Sequence, residues 1–526
     1  MNSHKKMFIE LCVFLTSAFT LYVLYNHTRL KNFFNENGVK YKPFYPILGN
    51  TLQSTIKQKH LVEEIDEVYR AFPNEKYVAF VEGAIPHLLI RDPDLIKAIT
   101  VKDFDHFVDH KGFFPVDIEP LFGNSVFMMK GERWHDMRST LSPAFTSSKM
   151  KLMMPLMLEI SNNIVEYIKD HVEKEIDIDD VIRRYTNDVI ASTAFGLQVN
   201  SFKDRNNEFY KAGQEFSKVP FHKRVLFMIA MLWPAVLKIF QISLFPKKTA
   251  TFLSNIIFST MAYREKSGIK RPDMIQLLME ASKGFLKMEK SEDDDTSMAP
   301  IVRDHRSTTK WTPDELASQV FIFFIAGFES SASTLVLCLH ELALNYEVQD
   351  KLYQEIKNYK EKNGKLVFEK INELNYLDCV LNEALRKWSV AIALDRMCTK
   401  TYELPPPREG GKPYSIQPGD LLLCTVNSLH MDPQYFPDPK AFNPDRFLDE
   451  NKYKIKPFTF LPFGVGPRNC IGIRFAMMEL KVVLFHLVAN FVIQKCVKTK
   501  NPAELAPLDI IISAKGGSWA KFVPRS

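Results

Sequence analysis

Thr312-Pro313-Asp314-Glu315 opens a stretch of 32 residues, Pro313 to Leu344, in which nothing stops a helix. The threonine caps, the proline takes the first turn, and the glutamate three residues after the threonine completes a capping box. Such a helix spans about 48 Å at 1.5 Å per residue. Val320 to Phe328 is apolar on all sides, which is the pattern of a helix buried inside a large protein. The 526-residue chain has the material for one, with 46% hydrophobic residues and 41 phenylalanines. Its length suits two or three ordinary domains or one large one; no repeat of 20–50 residues is apparent, and no second domain declares itself.

Ala326-Gly327-Phe328-Glu329-Ser330-Ser331 places a carboxylate and two hydroxyls in the middle of that helix. Buried polar groups are costly unless paired or used. Gly327 lets another surface approach closely. Ser330 can bond a carbonyl one turn back, bending the helix and opening a groove. The plainer alternative is serines satisfied by their own helix and a glutamate in an ion pair.

Phe463-Gly464-Val465-Gly466-Pro467-Arg468-Asn469-Cys470-Ile471-Gly472 is the second constraint. Two glycines allow a tight turn before the sulfur, an arginine stands two residues upstream, and a helix-like run from Arg474 to Leu484 follows. Positive potential and helix N–H groups keep a thiolate ionised, and Phe463 can shield it from water. An isolated cysteine would be read as a structural thiol; a frame in which each part has a task carries more weight.

This frame resembles the haem-ligand loop of the cytochrome P-450 family, Phe-x-x-Gly-x-Arg-x-Cys-x-Gly, with every fixed position filled. The resemblance implies a mainly α fold with small β-sheets and haem b, iron protoporphyrin IX, between the long helix and the cysteine loop. It makes Cys470 the axial thiolate, which favours O–O cleavage, with Ala326, Phe463 and Gly472 among the haem contacts. The long helix is similar to the family's distal helix, in which an acid and an alcohol, here Glu329 and Ser330, manage water and protons. Serine stands where threonine is usual, so the hydroxyl remains and a methyl is missing. Trp134 and Arg138 match the family's Trp-x-x-x-Arg, sharing one helix face at i and i+4; with Arg396 and Arg468 they form an expected cage for the haem carboxylates. Glu383, Arg386 and Arg446 match a three-membered ion network that supports the haem loop from behind. Phe113, Phe114, Phe122, Phe324, Phe328 and Trp519 are the candidate substrate contacts, and as a set they predict an apolar substrate.

The resemblance further implies a monooxygenase fed with NADPH electrons by the NADPH–cytochrome P-450 reductase, with cytochrome b5 as an additional partner. Lys149, Lys151, Lys454, Lys456 and Lys481 are candidate contacts for the reductase. The overall pattern is most similar to microsomal insect detoxification enzymes, whose substrates are xenobiotics, plant toxins, insecticides or endogenous lipids. Two other readings remain open: a haem isomerase or dehydratase of the same fold that needs no reductase, and a non-enzymatic haem carrier or sensor.

Composition limits the setting. Net charge is only +6, from 68 basic and 62 acidic residues, with no basic run of five, which speaks against nucleic acid. Seven cysteines, none at C-x-x-C spacing, fit a reducing compartment. Met7 to Tyr25 is a 19-residue apolar run broken only by Glu10, long enough to span a bilayer; a cleaved secretory signal is the alternative. Arg29, Lys31, Lys40 and Lys42 follow it against Lys5 and Lys6 before it, which favours a single-pass anchor in the endoplasmic reticulum with the main body cytosolic. The expected layout is an anchor over residues 1–25, a linker and proline-containing hinge over 26–50, and a haem-binding domain over 51–526. Val225 to Leu237 is apolar but too short to span, a buried helix or a second membrane contact, and Ser282 to Lys310 reads as a polar loop.

Overall fold

The computed structural model describes residues 2–112, 116–217, 226, 238–243, 246–283, 310–507 and 511–525. The apolar stretch 225–237, apart from Leu226, and most of the polar loop, 284–309, lie outside them. Two compact units emerge, residues 1–111 with 393–428, and residues 112–392 with 429–526. Strands distant in sequence complete the sheet of the first unit.

In the first unit, α1 runs over Asn2–Glu36 and α2 over Leu61–Arg70. The first helix continues well past residue 25, where a linker was expected. No proline or glycine interrupts residues 26–36; the helix stops at Gly38, whose φ of 67° lies in the left-handed region that ends helices. Phe34 near its end is 1% exposed and packs its ring 5.6 Å from Tyr41 and 6.4 Å from Phe44. The sheet of this unit orders Tyr77–Glu82, Ile85–Ile90, Leu421–Thr425 and Ala393–Met397. The first two strands form an antiparallel hairpin, and Ile85–Ile90 pairs in parallel with Leu421–Thr425.

The second unit is helical. Its principal helices are α3 (Gly131–Leu141), α4 (Ser147–Lys169), α5 (Ile178–Thr193), α6 (Pro313–Leu344), α7 (Tyr346–Asn363), α8 (Asn375–Lys387) and α9 (Ile473–Asn490). The α6 capping box forms as expected: Thr312 Oγ1 accepts from the Glu315 N–H at 3.2 Å, and the Glu315 carboxylate accepts from the Thr312 N–H at 3.0 Å. The helix is continuous through its polar centre. It packs against α5 and α9, while α4 packs against α5 and α9 from the other side. A small sheet, Ile176–Asp177, Trp519–Pro524 and Phe491–Gln494, flanks these helices.

Both α1 and α6 are long and apolar enough to cross a membrane, yet the most apolar window of α6 is 67% buried within the protein and that of α1 is 0% buried. Burial separates a core helix from an anchor, and only α1 keeps the anchor reading among the described residues.

Candidate active site around Cys470

Gly464 and Gly466 have φ of 72° and 74°, values that residues with a side chain rarely adopt. The turn they permit is closed by main-chain bonds: Gly464 N–H to Leu461 O at 3.1 Å, Asn469 N–H to Gly466 O at 3.0 Å and Cys470 N–H to Phe463 O at 2.8 Å. The chain then enters α9 at Ile473. Cys470 lies deep in the unit and yet its side chain is open, so it faces a hollow rather than packed neighbours. Burial pushes its thiol up, while the Gly472 N–H and the Arg138 guanidinium pull it down. The cation acting on the sulfur is thus Arg138, not Arg468 two residues away in sequence.

Arg468 serves the loop instead. It donates to Met129 O at 2.8 Å and Val126 O at 3.3 Å, and its guanidinium lies 3.9 Å from the centre of the Trp134 ring. Arg138 is 8% exposed and donates from Nη2 to Asn469 Oδ1 at 2.8 Å; among the described residues no carboxylate pairs with it, and its Nε is buried without a hydrogen-bond partner. Burial lowers this guanidinium to about 10, opposed by Cys470. A buried cation without a counter-ion is costly, and an acidic ligand would remove that cost. The residues present therefore fit a group that carries carboxylates and meets a sulfur.

Arg396 belongs to the first unit, on the strand Ala393–Met397. It is 1% exposed, Nη1 donates to Asp395 O at 2.7 Å, and Nε is buried without a partner. The adjacent Asp395 carboxylate is occupied by His110 Nδ1 at 2.9 Å and the Lys111 N–H at 2.6 Å.

The face of α6 that is open runs at helical spacing. Ala326 is exposed although the helix around it is buried, and Phe323 and Ser330, three before and four after, are half-buried. Phe323 packs 5.4 Å from Phe145, and a Cβ on Gly472 would meet both Phe145 Cε1 and Cys470 Sγ at 3.9 Å. Phe145 therefore links this helix face to the cysteine loop. Gly327 admits a neighbouring surface as expected, and that surface is α5: a Cβ there would lie 2.5 Å from Ile190 Cδ1.

The three polar residues at the centre of α6 are all engaged. Ser330 Oγ donates to Ala326 O at 2.6 Å. Glu329 accepts two bonds of 2.7 Å from Arg183 Nη1. Ser331 Oγ donates to Glu479 Oε2 on α9 at 2.6 Å. Ser330 thus bonds the carbonyl one turn back and Glu329 sits in an ion pair, while Ser331 is satisfied on α9 rather than by its own helix, and α6 runs unbroken.

Glu479 is wholly buried, and its Oε1 has no partner. Burial pushes its carboxyl from 4.5 up to about 8, with Ser331 opposing. A raised folded-state value means that folding takes up a proton between 4.5 and about 8. The contribution is full below 4.5 and is lost as pH rises towards 8. Glu479→Gln keeps an acceptor for Ser331 and cannot ionise. We expect its denaturant stability to gain on the wild type as pH rises through this window, by at most about 1.4 kcal/mol per pH unit; parallel stability-versus-pH curves would refute the assignment.

The expected ion network assembles. Glu383 and Arg386 are both fully buried. Arg386 Nε and Nη2 donate to Glu383 at 2.7 and 2.8 Å, and its remaining N–H groups reach His430 O at 2.9 Å, Pro439 O at 2.9 Å and Ala441 O at 3.2 Å. Arg446 Nε lies 3.5 Å from Glu383 Oε1.

The substrate candidates fare differently. Phe113 and Phe114 lie outside the described residues. Phe122 sits on the short helix Pro120–Gly123, half-buried, 6.3 Å from Phe127. Phe324 and Phe328 are 0% and 1% exposed and pack with Phe195, Phe209 and Tyr210. They are core residues, because one position along a helix turns a side chain by about 100°; the open face belongs to Phe323 and Ala326. Trp519 lies in the small sheet beneath Lys498 Nζ, 4.1 Å from its ring centre.

Comparison with known proteins agrees with this mainly helical fold. The pattern of the Cytochrome P450 family matches residues 39–519. Probable cytochrome P450 9f2 of Drosophila melanogaster is 40% identical over 94% of this chain and 95% of its own length. Cytochrome P450 9e2 of Blattella germanica is 37% identical over 94% of each chain, and cytochrome P450 6k1 of the same organism is 34% identical over 98% of this chain and 97% of its own. The chain belongs to the cytochrome P450 family. It is accordingly an enzyme of a family whose members are typically monooxygenases, and the family implies a haem cofactor.

Proposed function

We propose that the protein is a haem-thiolate monooxygenase, anchored by α1 in the endoplasmic reticulum membrane with its catalytic body on the cytosolic side. It inserts one atom of O2 into an apolar small molecule R–H, yielding R–OH and water, while NADPH is oxidised to NADP⁺ through a flavoprotein reductase and one proton is taken up from solvent. The observation that carries this reading is Cys470, open at the end of a Gly464/Gly466 turn with the unpaired cation Arg138 beside it. Bound haem supplies oxygen activation. Cys470 would hold it from one side, and Arg138 Nε and Nη would bind its carboxylates. Ala326 offers the flat part of α6 against which it can lie, and Trp134, capped by Arg468, keeps Arg138's surroundings dry. Candidate substrates are xenobiotics, plant toxins, insecticides and endogenous lipids, for which Phe323 and Phe122 offer apolar contacts.

Ser330 holds a proton at Oγ, at present shared with Ala326 O. Glu329 is buried and clasped by Arg183. Ser330→Ala is expected to lower product formed per NADPH consumed by about tenfold and to raise peroxide correspondingly. That is short of the roughly 100-fold a positioned proton donor contributes, since water can take the vacated place. An unchanged product-to-peroxide ratio removes Ser330 from the relay.

Of the basic residues expected to meet the reductase, Lys454 and Lys456 are exposed, and Lys151 is exposed and paired with Glu369. Lys481 is 6% exposed and bonded to Asp378 at 2.8 Å, so it is a structural residue. The deciding experiment reconstitutes the full chain with haem, lipid and NADPH–cytochrome P-450 reductase and measures product from a panel of apolar compounds. Product that requires both NADPH and reductase supports the proposal. Full turnover without either favours the isomerase or dehydratase reading, and normal haem content with no turnover across the panel favours a carrier or sensor.

A further inference from the structure

His430 joins the buried ion network to the cysteine loop, and nothing in its local sequence marks it. It is 0% exposed, between Phe460 and Phe436 with ring centres at 5.2 and 6.2 Å. Its main-chain carbonyl accepts from Arg386 Nη1 at 2.9 Å. Its Nε2 accepts from the Leu461 N–H at 2.8 Å. The proton therefore sits on Nδ1, which is turned towards the carbonyls of Arg386 and Leu385 without a well-directed bond to either. Burial first, and the Arg386 charge second, hold the imidazole near 3, so it stays neutral and keeps its acceptor.

Among the described residues, none of the bonds formed by Glu383, Arg386 or Arg446 reaches residues 461–472 directly. The connection runs through His430. From Arg386 it passes to His430 O, from His430 Nε2 to Leu461, from Leu461 O to the Gly464 N–H at 3.1 Å, and from Phe463 O to the Cys470 N–H at 2.8 Å. Between Leu461 and Phe463 stands Pro462, whose fixed φ leaves little slack.

We propose that His430 is a positioning residue that passes the rigidity of the Glu383–Arg386 pair to the Cys470 turn and so keeps the sulfur in its ligating position. The proposal rests on Cys470 being the haem ligand. It is tested in the full-length holoenzyme with three substitutions. His430→Gln can still present an acceptor to Leu461; His430→Asn is polar but too short to reach it; His430→Leu has no acceptor. The readouts are the decay of the thiolate-ligated absorption of the reduced carbon-monoxide complex and hydrogen exchange of the Leu461 amide, at matched haem content and matched far-ultraviolet circular dichroism. The Asn and Leu variants are expected to lose the thiolate-ligated form about tenfold faster than wild type and to lose Leu461 protection, as a buried donor left unpaired requires. The Gln variant should stay within about twofold of wild type. If Leu fails to fold, the Gln–Asn contrast decides. Equal decay and equal protection in Gln and Asn overturn the proposal. Cys470→Ser serves as control: a thiolate absorption that persists there overturns the ligand reading itself.

Discussion

Cys470→Ala is expected to abolish the thiolate-type absorption of the reduced carbon-monoxide complex and to reduce product formation below detection. No other sulfur can take its place. Cys338, Cys379, Cys398 and Cys424 are buried, Cys12 lies in the N-terminal helix α1, and Cys496 sits in a turn that Thr499 closes. The turn itself should survive, because the bond that fixes it runs from the Cys470 N–H to Phe463 O and does not involve the side chain. Far-ultraviolet circular dichroism should therefore stay unchanged while the spectrum changes completely. Arg138 would lose the partner that opposes its desolvation, so weaker haem retention is expected as well. An unchanged carbon-monoxide spectrum would remove Cys470 from the iron.

Arg386→Met should cost about 3–5 kcal/mol of stability, the range for removing one partner of a buried pair. The cost lies less in the lost attraction than in what is stranded. Glu383 would remain wholly buried with only the Asn443 N–H and a distant Arg446 Nε near it. Three carbonyls, of His430, Pro439 and Ala441, would lose their donor. Arg386→Lys should rescue little, because a lysine cannot reproduce the planar fork that serves carboxylate and carbonyls together. The double substitution Glu383→Leu with Arg386→Leu should be less destabilised than Arg386→Met, since it strands no charge. Denaturant midpoints at equal haem content measure all three; a double variant that is the worst would contradict this account.

The parts of the fold that could be read from the sequence are those in which local chemistry and burial agree. The Thr312–Glu315 capping box and the proline behind Thr312 start α6 where expected, and the Gly464 and Gly466 pair turns the chain before Cys470. The failures have a common cause: helical register and tertiary pairing are not local. Phe324 and Phe328 differ from Phe323 in sequence position by one and five residues, yet only their azimuth about α6 decides core or hollow. Arg468 seemed the sulfur's cation by proximity in the chain, whereas Arg138, more than three hundred residues upstream, holds that place. Arg183, Asn469, Glu479 and His430 went unnoticed because each is defined by a partner on another element. Glu479 alone left a trace, an acid on the otherwise apolar face of α9.

If α1 is the membrane anchor proposed above, its length has a mechanical consequence. Hydrocarbon accommodates about 20 helical residues, and the apolar run ends at Tyr25, so residues 26–36 continue as about 16 Å of unbroken helix ending in the aromatic packing of Phe34 against Tyr41 and Phe44. A slack tether would absorb any tilt of the membrane-embedded part. A stiff shaft acts as a lever and hands that tilt on to the residues it is bolted to. With α1 as the proposed anchor, bilayer thickness, which sets helix tilt through hydrophobic mismatch, would become a variable that the first unit can feel, and lengthening residues 26–36 by half a turn would rotate its attachment point rather than merely raise it.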